Sequence, residues 1–126
     1  MIELVEAVDE LSFIEGTCLL KGDTVVTTTF PADKRNHETI VKKAFIYVFQ
    51  SASRLRTQHD EAHLEIGDKR MSGFLLEDGS ILICMSSKGT NVANVRNNVR
   101  ELKNGFLQEE SMREAGLASE PEWTTE

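Results

Sequence analysis

Residues 73–102 read GFLLEDGSILICMSSKGTNVANVRNNVREL, and this stretch decides the fold. An apolar run through Leu76 meets Asp78-Gly79, a strong hairpin signal, and a second apolar run, Ser80 to Met85, returns from it. Two β-rich runs around such a pair form antiparallel neighbours. The second run stops in Ser86-Ser87-Lys88-Gly89-Thr90-Asn91. A helical pattern over 91–104 follows, with Val92, Val95, Val99 and Leu102 on one narrow stripe and Gly105 expected as its stop. Strand, small polar loop and helix together are a common setting for nucleotide phosphates. A phosphate loop, however, needs G-x-x-x-x-G-K-[ST], and here Lys88 precedes Gly89 and the first glycine is missing. The loop is therefore expected to orient the helix, with Gly89 in a turn and Thr90 or Asn91 as the cap.

Upstream, the same logic places three more strands and two helices. Leu4, Val8 and Leu11 make residues 1–12 an amphipathic helix. FIEGTCLLK and TVVTTTF flank Gly22-Asp23 and read as a hairpin that Pro31 ends. Residues 33–56 form the longest helix, with Asp33 or Asn36 as candidate caps. AHLEI and MSGFLL follow as strands around Gly67-Asp68. The order α-β-β-α-β-β-β-α implies an α+β fold, a five-stranded, mostly antiparallel sheet with helices covering its faces.

On a helical wheel of 33–56, Ile40, Val41, Ala44, Phe45, Val48, Phe49, Ala52 and Leu55 span about half the circumference at ~100° per residue. One sheet needs a stripe of only ~100°, so the excess points to a second buried contact, with another subunit as the expected source. Its outer edge is either the Ile40/Ala44/Tyr47 side or the Phe45/Phe49 side, and the pattern alone does not choose.

The chain has 126 residues, a net charge of -7 and two cysteines. The charge is divided. Residues 34–56 carry six bases against Glu38 alone, while 105–126 carry six acids against Arg113 alone. The N-terminus is acidic, with no base before Lys21, the wrong charge for a secretory signal. No apolar run approaches the ~20 residues of a membrane span. Cys18 and Cys84 lie in strand-like runs and are expected as buried free thiols of a cytoplasmic protein. On the basic helix, Lys43, Gln50 and Arg54 share a polar side with Tyr47. Overall acidity and scarce aromatic residues argue against nucleic acid, so an acidic protein surface is the expected partner. The tail at 105–126 is expected to extend the last helix, then become disordered after Gly116, and to shield a basic face weakly.

His59, Glu61 and His63 in HDEAH would share one strand face, but Glu61 is misplaced for a zinc-protease motif and a solvated face is expected, with no metal. No nucleophile, carboxylate pair or cofactor motif emerges, so no enzyme and no cofactor are expected.

Residues 73–102, with their strand, D-G turn, second strand, small-residue loop and final helix, resemble the end of roadblock-family domains. LSFIEGTCLLKGDTVVTTTF (11–30) resembles the family's opening hairpin, although Lys21-Gly22-Asp23 departs from its D-G order. The likeness covers residues 1–104 and leaves 105–126 outside. It implies a roadblock-like, profilin-like α/β/α sandwich that dimerises, as a homodimer or with another roadblock domain, through its central helix and third strand. Ile40, Ala44, Phe45, Tyr47, Val48, Ala62 and Leu64 would form that interface. It further implies a non-enzymatic scaffold for a Ras-like small GTPase, bound here through Lys43, Gln50 and Arg54. The alternative is a profilin-like or sensory domain that binds a small ligand as a monomer.

Overall fold

A computed structural model describes residues 2–57 and 59–106. The chain divides into two units, residues 1–91 and 92–126. In the first, helix α1 (Ile2–Asp9) leads to β1 (Gly16–Lys21) and β2 (Thr24–Thr28). A 3₁₀ turn (Ala32–Lys34) then enters helix α2 (Arg35–Arg54), and β3 (Glu61–Ile66), β4 (Lys69–Leu75) and β5 (Ile81–Ser87) follow. The second unit holds a helix over 92–106, α3, with Val95 and Val99 buried. The expected element order is observed. The five strands form one fully antiparallel sheet in the order β2-β1-β5-β4-β3.

Strand alternation sorts the sheet into two faces. Cys18, Leu20, Met71, Ile81, Ile83 and Met85 form one core with Val41, Phe45 and Phe49 of α2. The opposite face meets α1, whose Leu4, Val5 and Val8 are buried. Asp9 ties the end of α1 to the first hairpin by accepting hydrogen bonds from the hydroxyls of Thr17 (3.2 Å) and Thr29 (2.8 Å). Gly73, in the middle of β4, is the notch that lets α2 approach. A Cβ there would lie 3.0 Å from two ring atoms of Phe45.

Several local expectations are corrected. The helix expected over 1–12 ends at Asp9. Neither Asp33 nor Asn36 caps α2, because the chain enters it through the 3₁₀ turn and Lys34 sits at the cap position with no side-chain bond. The hairpin expected at Asp78-Gly79 does form, through a three-residue turn, Glu77 to Gly79. Leu76 N–H donates to the Ser80 carbonyl, Gly79 takes φ 87°, and Asp78 accepts the Ser80 N–H at 3.0 Å. Gly105 does not stop α3, which runs on to residue 106. One glycine costs a helix only about 1 kcal/mol, too little to end it. Cys18 and Cys84 are free and buried, as expected. Cys84 is opposite Thr17, so the two thiols point to opposite faces. Burial pushes the Cys18 thiol up to about 12, assisted by the nearby Glu38 carboxylate, and pushes Cys84 up as well. The expectations for 107–126 lie outside the described residues.

Helix α2 closes with a Schellman arrangement. Thr57 N–H reaches the Ala52 carbonyl at 2.9 Å, and Arg56 N–H reaches that of Ser53 at 3.1 Å. The position between them needs a left-handed residue, normally glycine, and Arg56 fills it at φ 58°. Arg56→Gly is therefore expected to stabilise the fold by about 0.5–1 kcal/mol, the left-handed strain exceeding the entropy of glycine. The urea midpoint at fixed protein concentration measures this, and a lower midpoint contradicts it.

Candidate functional site

The outer surface of α2 is the most distinctive feature of the chain. Val41, Phe45, Phe49 and Ala52 point into the core, which fixes the inner face of the helix. The half-circumference apolar arc therefore splits in two. One part is the chain's own core. The other comprises Ile40, Ala44, Val48 and Leu55, joined by Tyr47 and Ser51, and spans roughly 100° of the helix at its standard pitch. Ile40, Tyr47, Val48 and Leu55 are exposed, Tyr47 at 67% and Leu55 at 74%. This strip carries no formal charge. The structure thus chooses the Ile40/Ala44/Tyr47 side as the open one. Phe45 is 1% exposed beneath the helix and offers no surface to a second molecule.

Lys43, Gln50 and Arg54 lie along the adjacent outer strip, all exposed. Arg54 donates to the hydroxyl of Ser51, at 3.4 Å. Among the described residues, Lys43 has no carboxylate within ion-pair distance. The outer surface of α2 thus sets an uncharged apolar strip beside a basic polar one. The first loses water on contact, and the second recognises acidic groups.

Helix α2 contacts β3 and β4, at the end of the sheet where β3 is the edge strand. Ala62 and Leu64 on the α2 side of β3 are half-buried and pack on the core cluster. Among the described residues, no strand neighbours the outer backbone groups of β3. The other edge, β2, is shorter, and its register with β1 shifts at Leu19/Leu20.

Sequence reasoning missed the other side of β3. Its polar face was expected to be solvated, but the Glu61 and His63 side chains are only 9% and 18% exposed. His63 Nε2 lies 2.6 Å from a Glu61 carboxylate oxygen and Nδ1 lies 2.8 Å from the Ser72 hydroxyl, while the ring edge meets Phe74. The serine–histidine–carboxylate order resembles a nucleophile relay, but Ser72 is fully buried, so no substrate reaches its hydroxyl. The cluster fixes β3 to β4. Its one sequence signal was the polar Ser72 inside an apolar strand, directly opposite His63. His59 lies before the strand, so the expected three-residue face does not form. Among the described residues, no three His, Cys, Asp or Glu side chains gather to hold a metal ion. Arg70 is similarly sequestered, donating to Glu65 at 3.1 Å and to the Thr90 carbonyl.

Lys88, the lysine of the former phosphate-loop candidate, leans toward Glu65 at 3.8 Å. A cleft of ≈ 430 Å³ opens at the C-terminal end of α2, lined by Phe49, Ser53, Thr57, His59, Asp60 and Leu75. Among the described residues, no helix is long and apolar enough to cross a membrane.

No protein-family model matches the sequence, and no curated protein matches it. Solved structures do. MglB of Myxococcus xanthus superposes with a TM-score of 0.66 at 7% identity, covering 86% of this chain and 93% of its own. A roadblock/LC7 domain from Streptomyces avermitilis gives 0.63 at 14% identity, covering 93% and 98%. A structure described as MglB with a tetrameric arrangement gives 0.62 at 11% identity, covering 82% of each chain. With this strand order and helix placement, the chain is a roadblock-like domain in fold.

Proposed function

We propose that this protein is a non-enzymatic, cytoplasmic scaffold that dimerises through α2 and β3 and binds a Ras-like small GTPase. The observation that carries the reading is the charge-free apolar strip of α2 beside a basic one, on a chain with the roadblock fold. The apolar strip, with Ala62 and Leu64 on the open edge of β3, joins two copies, or this chain and another roadblock domain. Lys43, Gln50 and Arg54 then meet the acidic surface of the GTPase, and no nucleic acid is engaged. Any nucleotide belongs to that partner, since this chain lacks a phosphate loop. The cleft beside Phe49 and Asp60 is the one observation that favours the monomeric ligand-binding alternative. Light scattering separates the two readings, because a monomer at micromolar concentration ends the first.

The partner is tested by titrating the purified chain with small GTPases of its source organism, each loaded with GDP or a GTP analogue. Lys43→Glu with Arg54→Glu is expected to weaken binding at least tenfold at low salt, with the difference shrinking as salt rises. Absence of binding in either nucleotide state, or binding indifferent to both substitutions, overturns the assignment.

A further inference from the structure

From the charges along α2 and the sequence of 107–126, we infer that this acidic segment binds the basic strip of Lys43, Gln50 and Arg54 and competes there with the GTPase. The inference rests on the proposed role of that strip and adds its regulation.

The strip is open to such a ligand. Arg35, Lys69, Arg70 and Lys88 each already meet a carboxylate of their own copy. Among the described residues, Lys43 meets none, and Arg54 donates to the neutral hydroxyl of Ser51. Lys43 and Arg54 are separated by three turns on one side of the helix, a line of about 16 Å at the standard rise. Residues 107–126 hold six acids against Arg113 alone. Three of the acids, Glu120, Glu122 and Glu126, would span about 20 Å in an extended chain, close to the length of the strip. Trp123, the single tryptophan of the chain, stands among them. Carboxylates suit the two cations, and the face of an indole attracts a Lys or Arg cation as well.

Reach is not limiting. Twenty residues extend to about 65–70 Å. A domain of this size has a radius of gyration of about 13 Å, so half its circumference is only about 50 Å. The segment can therefore meet α2 of its own or a second copy from any point of departure. Being tethered, it is present at a local concentration that a free partner has to exceed. Its ion pairs are exposed, individually weak and screened by salt, so it tunes the affinity of the strip rather than closing it.

The test reads acrylamide quenching of Trp123 in three full-length chains: the parent, Lys43→Glu with Arg54→Glu, and Glu120→Gln with Glu122→Gln and Glu126→Gln. At low salt the parent is expected to quench about threefold less than a free peptide of residues 107–126. Either set of substitutions, or high salt, should restore the value of the peptide. Equal quenching of parent and peptide overturns the docking and leaves the GTPase reading standing. Protection that salt removes but Lys43→Glu with Arg54→Glu does not overturns this strip as the site. In the titration with small GTPases, the triple glutamine chain is expected to bind about 3–10-fold more tightly than the parent at low salt, with the gap closing as salt rises. A protected Trp123 with equal GTPase affinity overturns the competition. A protected Trp123 with no GTPase bound by any of the three chains overturns the partner reading and leaves the docking standing.

Discussion

Phe45→Ala is expected to lower the stability of the chain by about 3–5 kcal/mol, a large part of the total for a domain this small. Phe45 is 1% exposed and its ring covers Gly73 on β4, between β5 and the edge strand β3. The ring and the missing side chain form one device, which makes a sharper test available. A Cβ at Gly73 would lie 3.0 Å from two ring carbons and 3.2 Å from a third. The ring cannot retreat, since α2 is held by Val41 and Phe49 in the same core. Backbone strain is not involved, because Gly73 lacks a positive φ and alanine suits a strand better than glycine. Gly73→Ala is therefore expected to cost about 1–3 kcal/mol through overpacking alone. In a Phe45→Leu background most of that cost should vanish, giving a coupling of about 1–2 kcal/mol in a double-mutant cycle read by urea unfolding. Additive losses would show that the notch does not hold the ring.

The element order was legible because period and turn chemistry agree: β-branched runs around Gly22-Asp23, Gly67-Asp68 and Asp78-Gly79, and a 3.6-residue period over 35–54. The site was half legible. A helical wheel showed that the apolar arc of α2 was too wide for one sheet, but it carries no information about where the sheet lies. Phe45 and Tyr47 are both large and aromatic, yet one is 1% exposed and the other 67%. Only the position of Gly73 beneath Phe45 breaks that tie, and it depends on a contact 28 residues away in sequence. The Glu61–His63 pair was misread for a related reason. Alternation assigns residues to a face, but burial of that face depends on the rest of the fold. The helix ends were misread because Asp33, Asn36 and Gly105 are residues whose local preferences, near 1 kcal/mol each, yield to the path of the chain.

If the proposed dimer forms through the outer strip of α2, Ile40→Asp combined with Tyr47→Asp is expected to convert it to a folded monomer, weakening association by roughly 10²–10⁴-fold. Burying a large apolar side chain fully is worth about 1.5–3 kcal/mol, and an isologous interface counts each residue twice. Ile40 is 55% exposed and Tyr47 67% in the single chain, so only part of each is available for burial by a partner. Taking half of the full value for two residues in two copies gives about 3–6 kcal/mol, which corresponds to that range of dissociation constants. Both side chains point away from the core, so the fold of the chain should persist, with unchanged helix content by circular dichroism. Replacing Phe45, by contrast, should damage the fold and the dimer together, because its contribution lies inside one copy. The paired result separates the two halves of the apolar arc. If the doubly substituted chain elutes and scatters as the parent does at micromolar concentration, the outer strip of α2 is not the surface that joins the copies.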